Sequence, residues 1–249
     1  GSFTLPGRKL LDICRALPVS SDLTLQQNDS KISISSKRSK FSLSTLPENE
    51  FPLIKGINDV EVISVDQSNL KNLINKTHFS MAQQDVRFYL NGLLLEIGPE
   101  TLNVVGTDGH RLAKTNISLD KKNINDQSCI VPRKAIQELT KSLSDTKDCK
   151  VSLVENQASF SYSQVTLTTK LIDGTFPDYN RVIPESTTTN IMLDTSILKP
   201  ALQRVSILAN EKFRGVCIDI DNDKITISSE NPEQEQAVED IDIDGTNVK

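Results

Sequence analysis

The side chains able to do covalent or metal chemistry are few and scattered. Two histidines, His78 and His110, lie far apart in the chain, and His110 follows Asp108 by two residues, close enough for a carboxylate to orient an imidazole. No Ser or Cys stands out beside them as a nucleophile, so a triad or dyad has no third member. The four cysteines, Cys14, Cys129, Cys149 and Cys217, form no CxxC pair and have no His at metal-ligand spacing. They read as reduced core or surface thiols. No catalytic residue, metal site or cofactor is expected, and an enzyme is not.

The charged residues are better organised. Net charge is −5, which taken alone argues against a nucleic-acid partner. Apolar spacing predicts helices over 7–17, 68–79, 133–144 and 197–208. These hold ten Lys/Arg (Arg8, Lys9, Arg15, Lys71, Lys76, Arg133, Lys134, Lys141, Lys199, Arg204) and two acids, Asp12 and Glu138. The rest of the chain carries 18 basic and 31 acidic residues, so basic helices sit on an acidic protein. Lys and Arg on solvated helix faces are commonplace, but here all four helices share the bias.

Elsewhere apolar and polar residues alternate, as in Leu23-Thr24-Leu25, Ile32-Ser33-Ile34, Phe41-Ser42-Leu43, Val151-Ser152-Leu153 and Ile225-Thr226-Ile227. Period two marks half-buried antiparallel strands. Asn28-Asp29, Gly98-Pro99, Asp108-Gly109 and Asp221-Asn222-Asp223 read as turns between them. Hydrophobic content of 37% suits ordinary Leu, Ile and Val cores. No apolar run approaches the roughly 18 residues a membrane helix needs, and the start lacks a signal sequence, so a soluble cytoplasmic protein is expected.

The element order repeats. At a separation of 126, Leu5, Pro6, Arg8, Leu10, Asp12, Ile13, Arg15 and Leu17 meet Val131, Pro132, Lys134, Ile136, Glu138, Leu139, Lys141 and Leu143. At 125, Leu46 and Phe51-Pro52 meet Leu171 and Phe176-Pro177. At 128, Leu70-Lys71, Ile74 and Phe79 meet Leu198-Lys199, Leu202 and Ile207. At 123, Gly92, Leu95, Ile97, Leu102 and Val104 meet Gly215, Ile218, Ile220, Ile225 and Ile227. The chain thus holds two copies of a unit of about 125 residues, cut out of phase. Residues 3–56 form the second half of one unit, 57–188 a complete unit and 189–249 the first half of a third. A half unit leaves strand edges open, which suggests a longer parent. Gly1-Ser2 resembles the scar of a cleaved tag.

Specific strings then accumulate: Phe41-Ser42-Leu43-Ser44-Thr45-Leu46-Pro47, Phe79-Ser80-Met81-Ala82, Asp85-Val86-Arg87-Phe88-Tyr89-Leu90-Asn91-Gly92, Thr107-Asp108-Gly109-His110-Arg111-Leu112-Ala113, Val131-Pro132-Arg133-Lys134, Asp173-Gly174-Thr175-Phe176-Pro177-Asp178-Tyr179, Asn210-Glu211-Lys212-Phe213-Arg214-Gly215-Val216 and Asn231-Pro232-Glu233-Gln234-Glu235. In this order they resemble the bacterial DNA sliding clamp, the β subunit of DNA polymerase III, nearly end to end. The resemblance implies an α+β fold of tandem clamp-type domains, with antiparallel sheets outside and basic helices lining the DNA-facing side. It implies a processivity factor that closes as a homodimeric ring around duplex DNA regardless of sequence. Its other partners would be DNA polymerase III, clamp loader subunits, and other polymerases and repair proteins carrying clamp-binding peptides.

Carried over by motif, the peptide groove would use Leu90, Thr107, Gly109, His110, Arg111, Leu112, Pro177, Arg181, Val182 and Phe213. Leu, Val, Pro and Phe suit an apolar cleft, while Arg111, Arg181 and His110 offer donors to carbonyls or carboxylates. Asp108-Gly109 alone is only a hairpin turn, but its counterpart, Glu230-Asn231-Pro232-Glu233, lacks His and Arg, so the fold does not demand them. DNA contact would fall to Gln84, Arg87, Phe88, Tyr89, Arg133 and Lys134, with Phe88 where Tyr is usual, and the subunit interface to Phe41, Ile207 and Leu208. Missing from the resemblance are the first half of the first domain and the second half of the third, which includes the C-terminal segment that completes the peptide groove in this family. The competing reading is a repeat-built protein-interaction scaffold that does not bind DNA.

Overall fold

The four helices form where the apolar spacing places them, and the chain starts them in two ways. Gly7–Ala16 (α1) and Arg133–Ser142 (α3) begin directly after Pro6 and Pro132. Gln67–Thr77 (α2) and Thr195–Val205 (α4) are capped by carboxylates: Asp66 accepts from the Ser68 and Asn69 amides at 2.8 and 3.1 Å, and Asp194 accepts from the Ser196 amide at 2.7 Å. Such a cap is worth about 1 kcal/mol. Both capped helices end in a 3-10 turn, His78–Ser80 and Ser206–Leu208. The computed structural model describes residues 2–51, 62–119, 125–144, 147–154, 156–186, 191–221 and 223–243. Domain boundaries expected at 56/57 and 188/189 lie outside these residues, as do Pro52 and Asn222 of the expected Phe-Pro pair and turn.

The chain divides into two units, 1–176 and 177–249. Within the first, Thr24–Asn28 (β1), Lys31–Ser36 (β2) and Ser39–Ser44 (β3) form an antiparallel sheet. Asp29, at φ 48°, makes the expected turn between β1 and β2. The strands that follow are Val62–Asp66 (β4), Gly92–Ile97 (β5), Thr101–Thr107 (β6), Leu112–Ser118 (β7), Gln127–Pro132 (β8), Asp148–Val154 (β9), Gln157–Tyr162 (β10) and Val165–Lys170 (β11). They make two four-stranded antiparallel sheets, ordered β7-β6-β5-β8 and β11-β10-β9-β4. Each sheet takes three consecutive strands from one half of the repeat and borrows its fourth from the other, so the halves interlock. Gly92 marks the tightest seam: a Cβ there would lie 2.5 Å from the Val131 carbonyl oxygen.

Helices α2 and α3 cover a shared core. Leu70, Ile74, Leu93, Leu102, Val131, Ile136, Leu139 and Phe160 are among its most buried members. Each such side chain contributes about 1.5–3 kcal/mol by leaving water. The second unit holds α4 and a three-stranded antiparallel sheet of Cys217–Ile220 (β12), Lys224–Glu230 (β13) and Gln236–Asp242 (β14). Its smaller core gathers Ala201, Val205, Ile225, Ile227, Ile241 and Ile243.

The internal repeat holds down to individual strand registers. Leu95 faces Val104 and Ile97 faces Leu102, and 123 residues on Ile218 faces Ile227 and Ile220 faces Ile225. Likewise Leu25, Ile34 and Phe41 align across β1–β3 as Val151, Phe160 and Leu167 do across β9–β11, 126 residues later. One pairing read from the sequence shifts. Thr45 N–H donates to the Ser30 carbonyl and Leu171 N–H to that of Asn156, so Leu171 is the counterpart of Thr45 rather than Leu46. The offset of 125 therefore begins only after these residues.

Candidate functional site

The residues that motif resemblance singles out for peptide binding fall in both units. In the first, the hairpin between β6 and β7 closes Thr107 against Leu112 and leaves Asp108–Arg111 as its loop. Gly109, at φ 88°, takes a backbone conformation that L side chains rarely adopt. The Asp108 carboxylate organises the loop by accepting from the His110 and Arg111 amides at 2.9 and 3.0 Å and from Arg111 Nε at 3.1 Å. Burial works to raise the Asp108 pKa, but the backbone amides of His110 and Arg111 and the Arg111 guanidinium hold it below its ordinary value. Thr107 Oγ1 donates to the Arg111 carbonyl at 2.8 Å and accepts from the Gly109 amide at 3.1 Å. Arg111 also donates to the Phe79 carbonyl at 2.8 Å and lies 5.7 Å from the Phe79 ring centroid. His110 and Arg111 are exposed, Leu112 half-buried and Thr107 buried. Leu90 is only 1% exposed, so it supports this region from beneath.

Beside the hairpin runs the loop 82–91, which holds Gln84, Arg87, Phe88 and Tyr89. Gln84 is at φ 56°. Asp85 and Asn91 close the loop: Asn91 Oδ1 accepts from the Asp85 amide at 3.0 Å, and Asn91 Nδ2 donates to the Asp85 carbonyl at 2.9 Å. Asp85 holds Arg87 through two side-chain bonds of 3.0 and 2.8 Å. The Arg87 side chain and amide draw the Asp85 pKa down to about 2. Phe88 and Tyr89 meet edge to face at 6.0 Å between centroids, and Phe88 is 56% exposed, an aromatic face open to stacking. Gly174, at φ 128°, passes close beneath: a Cβ there would lie 3.4 Å from the Phe88 ring.

Among the basic helix residues, Lys71 donates to the Leu143 carbonyl at 3.0 Å, and Arg133 donates to those of Met81 and Ala82 at 3.3 and 3.4 Å. Both are half-buried, and the other eight are exposed. Lys141 pairs with Glu138, and Arg204 with Glu239.

In the second unit, Arg181 and Val182 lie on the 3-10 turn Tyr179–Val182, and Arg181 Nε donates to Asp178 at 2.9 Å. Pro177 is exposed. Val182 and Phe213 are 68% and 76% exposed. The Phe213 loop is set by Asn210, whose Oδ1 accepts from the Lys212 and Phe213 amides at 2.9 and 3.2 Å. Ile207 is 76% exposed and Leu208 half-buried, whereas Phe41 in the first unit is half-buried opposite Ile34. Sequence reading did not single out Asp85, Asn91, Asp178 or Asn210 as site-builders. Nothing in their spacing announces it, because each acts through a backbone that only the fold brings into position.

Among the described residues, no group of three or more His, Cys, Asp or Glu is placed to hold a metal ion, and no helix is long and apolar enough to cross a membrane. The arrangement offers exposed apolar side chains beside fixed donors, which is recognition chemistry.

Family models of the DNA polymerase III beta subunit match the chain in order: the N-terminal domain over residues 1–55, the central domain over 64–178 and the C-terminal domain over 180–248. The beta sliding clamp of Pseudomonas putida is 41% identical over 98% of this chain, which covers 67% of that protein. The beta sliding clamp of Vibrio cholerae is 43% identical, with 98% of this chain and 66% of the relative covered. The crystal structure of the DNA polymerase III subunit beta from Pseudomonas aeruginosa superposes with a TM-score of 0.90 at 40% identity, covering 98% of this chain and 67% of that one. A structure of the same species' clamp bound to griselimycin matches with a TM-score of 0.89 at 40% identity, over 98% of this chain and 66% of that one. The chain thus spans about two thirds of the length of these relatives. It belongs to the DNA polymerase III beta subunit family, the beta sliding clamps, which are non-catalytic processivity factors of bacterial DNA replication.

Proposed function

We propose that this protein works in the cytoplasm as a replication clamp that encircles duplex DNA without reading its sequence and tethers polymerase, clamp loader and repair partners through a peptide groove. The observation that carries the reading is the match of three successive beta-subunit domains, in order, along a chain 40–43% identical to clamps over 98% of its length. In this reading 3–56 is the second half of the first clamp domain, 57–188 the complete second and 189–249 the first half of the third. The exposed Arg8, Lys9, Arg15, Lys76, Lys134 and Lys199 would face phosphates. Arg87, Arg133, Gln84, Phe88 and Tyr89 would form or support the DNA-facing loop. Phosphate contacts carry little sequence information, which lets a clamp slide.

The groove would join Gly109, His110, Arg111 and Leu112, backed by Leu90 and Thr107, to Pro177, Arg181, Val182 and Phe213. Phe41, Ile207 and Leu208 would serve the dimer interface of the full-length ring. Support for the groove comes from the exposure of Val182 and Phe213 and, each within its own unit, of the Arg181 guanidinium and the His110 imidazole.

A salt series tests the DNA reading. Affinity for duplexes of unrelated sequence should be equal and weak, falling on a log–log plot with a slope of about −0.9 for each phosphate engaged. A flat response would leave the DNA-independent scaffold standing. For the groove, His110→Ala with Arg181→Ala should weaken a short clamp-binding peptide with apolar residues near its end by at least about tenfold, since each lost charge-assisted bond is worth about 1.5–3 kcal/mol. Unchanged affinity would remove both residues from the site.

A further inference from the structure

The backbone of loop 82–91 is fixed from several sides, which leaves one side chain able to change partners. Arg133 holds both ends of the loop to the start of α3: its amide donates to the Asn91 carbonyl at 3.0 Å, and its guanidinium reaches the Met81 and Ala82 carbonyls. The Ala82 amide donates across the neck to the Leu90 carbonyl at 3.0 Å, and Asn91 clamps the Asp85 backbone at both its N–H and its carbonyl. The turn at Phe88–Leu90 closes through the Leu90 and Asn91 amides, which donate to the Arg87 and Phe88 carbonyls at 2.9 and 3.0 Å. An anion arriving at this loop therefore meets a set backbone. The Arg87 side chain, 45% exposed, is the group that can turn toward it.

That guanidinium is already engaged twice. Nε and Nη2 bind the Asp85 carboxylate, and Nη2 also donates to the backbone carbonyl of Asp108 in the neighbouring hairpin. Beyond Asp108 comes Arg111, so Asp85, Arg87, Asp108 and Arg111 alternate in charge along one surface. The Asp108 carboxylate in turn fixes the His110 and Arg111 amides. A phosphate and the hairpin thus compete for one cation. A phosphate that takes Arg87 removes a positive charge and a backbone donor from the hairpin together, and the less compensated Asp108 then holds Arg111 harder. Both changes disfavour a peptide that needs Arg111 and His110 as donors to its carbonyls or carboxylates.

We propose that Arg87 is a positioning residue for the His110–Arg111 hairpin and that it couples the two ligand surfaces negatively, so that DNA held by loop 82–91 weakens peptide binding. The inference rests on the clamp reading above, since it takes the loop as a DNA contact and the hairpin as part of the groove. By linkage the effect runs equally in reverse, and bound peptide lowers DNA affinity by the same factor. The two ligands need not touch, because the link runs from Arg87 through the Asp108 carbonyl.

Equilibrium binding to the full-length protein tests this, with a fluorescein-labelled short peptide ending in apolar residues and a duplex carrying a single-stranded overhang as probes. Saturating DNA should raise the peptide Kd at least about fivefold, and saturating peptide should raise the DNA Kd by the same factor. Arg87→Lys keeps a charge but lacks the planar fork that serves Asp85 and the Asp108 carbonyl at once. The variant should bind peptide more weakly even without DNA, and DNA should then change its peptide Kd by less than about twofold. A side chain that only stabilised the fold would weaken peptide binding yet leave the DNA effect in place. Wild-type Kd values indifferent to the other ligand would overturn the coupling and leave the clamp reading intact, whereas failure of either probe to bind would overturn both. An equal DNA effect in wild type and Arg87→Lys would mean that DNA and peptide overlap directly, and would overturn the link through Arg87.

Discussion

Arg87 donates from Nη2 to the backbone carbonyl of Asp108 at 3.2 Å, tying the loop 82–91 to the hairpin loop that carries His110 and Arg111. The contact is close enough that a Cβ on Gly109 would lie 2.9 Å from Arg87 Nη1. Gly109→Ala therefore meets two penalties, a left-handed backbone and a displaced guanidinium. The variant should lose about 1–2 kcal/mol of stability and should bind a clamp peptide more weakly than the wild type. Urea midpoints and a peptide titration read the two effects separately. An unchanged midpoint would mean that Arg87 yields at no cost.

The same clamp has a pH signature. Asp85 is held at about 2 by the Arg87 side chain and amide, below its ordinary 3.8. A carboxyl depressed in the folded state stabilises above its unfolded pKa and loses that contribution as pH falls through the folded value. The window here is from about pH 4 to about pH 2. Wild type should lose more stability across it than Asp85→Asn, and the two should run parallel above pH 5. A parallel course below pH 4 as well would show that Asp85 does not hold the loop.

Much of this was legible in the sequence because repetition compounds weak signals. The helix 133–142 announces itself by apolar spacing and again by its counterpart 126 residues earlier, and the strand registers follow the same offset. Exposure was not legible. Leu90 and Val182 both read as apolar groove residues, yet Leu90 is buried and Val182 is 68% exposed, since one-dimensional pattern does not reveal what covers a side chain. Arg133 and Lys134 read as equivalent cations, but Arg133 spends its donors on the Met81 and Ala82 carbonyls while Lys134 stays exposed. The Arg87–Asp108 link was invisible, because it joins loops 21 residues apart through a backbone oxygen.

Equivalent positions in the repeat should have unequal energetic weight. Ile136 is 1% exposed against the α2–α3 core, and its counterpart Leu10 is half-buried on a helix that buries nothing. Ile136→Ala should cost about 2–5 kcal/mol by lost transfer energy and a cavity. Leu10→Ala should cost under about 1 kcal/mol in the unassociated chain, measured at low micromolar concentration. Equal losses would mean that α1 is packed as tightly as α3.

The thiols divide by burial, and the division should be chemical as well as spatial. Desolvation pushes Cys129 and Cys149 up to about 12, whereas Cys14 is exposed on α1. Only the thiolate attacks a disulfide reagent, so at pH 8 the native protein should modify Cys14 promptly and leave Cys129 and Cys149 intact until denaturant is added. A thiol whose folded pKa is raised stabilises below its unfolded value near 9.0 and gives that up as pH climbs through the folded one. Stability should accordingly fall between about pH 9 and pH 12, and Cys149→Ala should shallow that fall. Prompt native labelling of Cys149 at pH 8 would place the β4–β9 seam in an open state far more often than its 0% exposure implies.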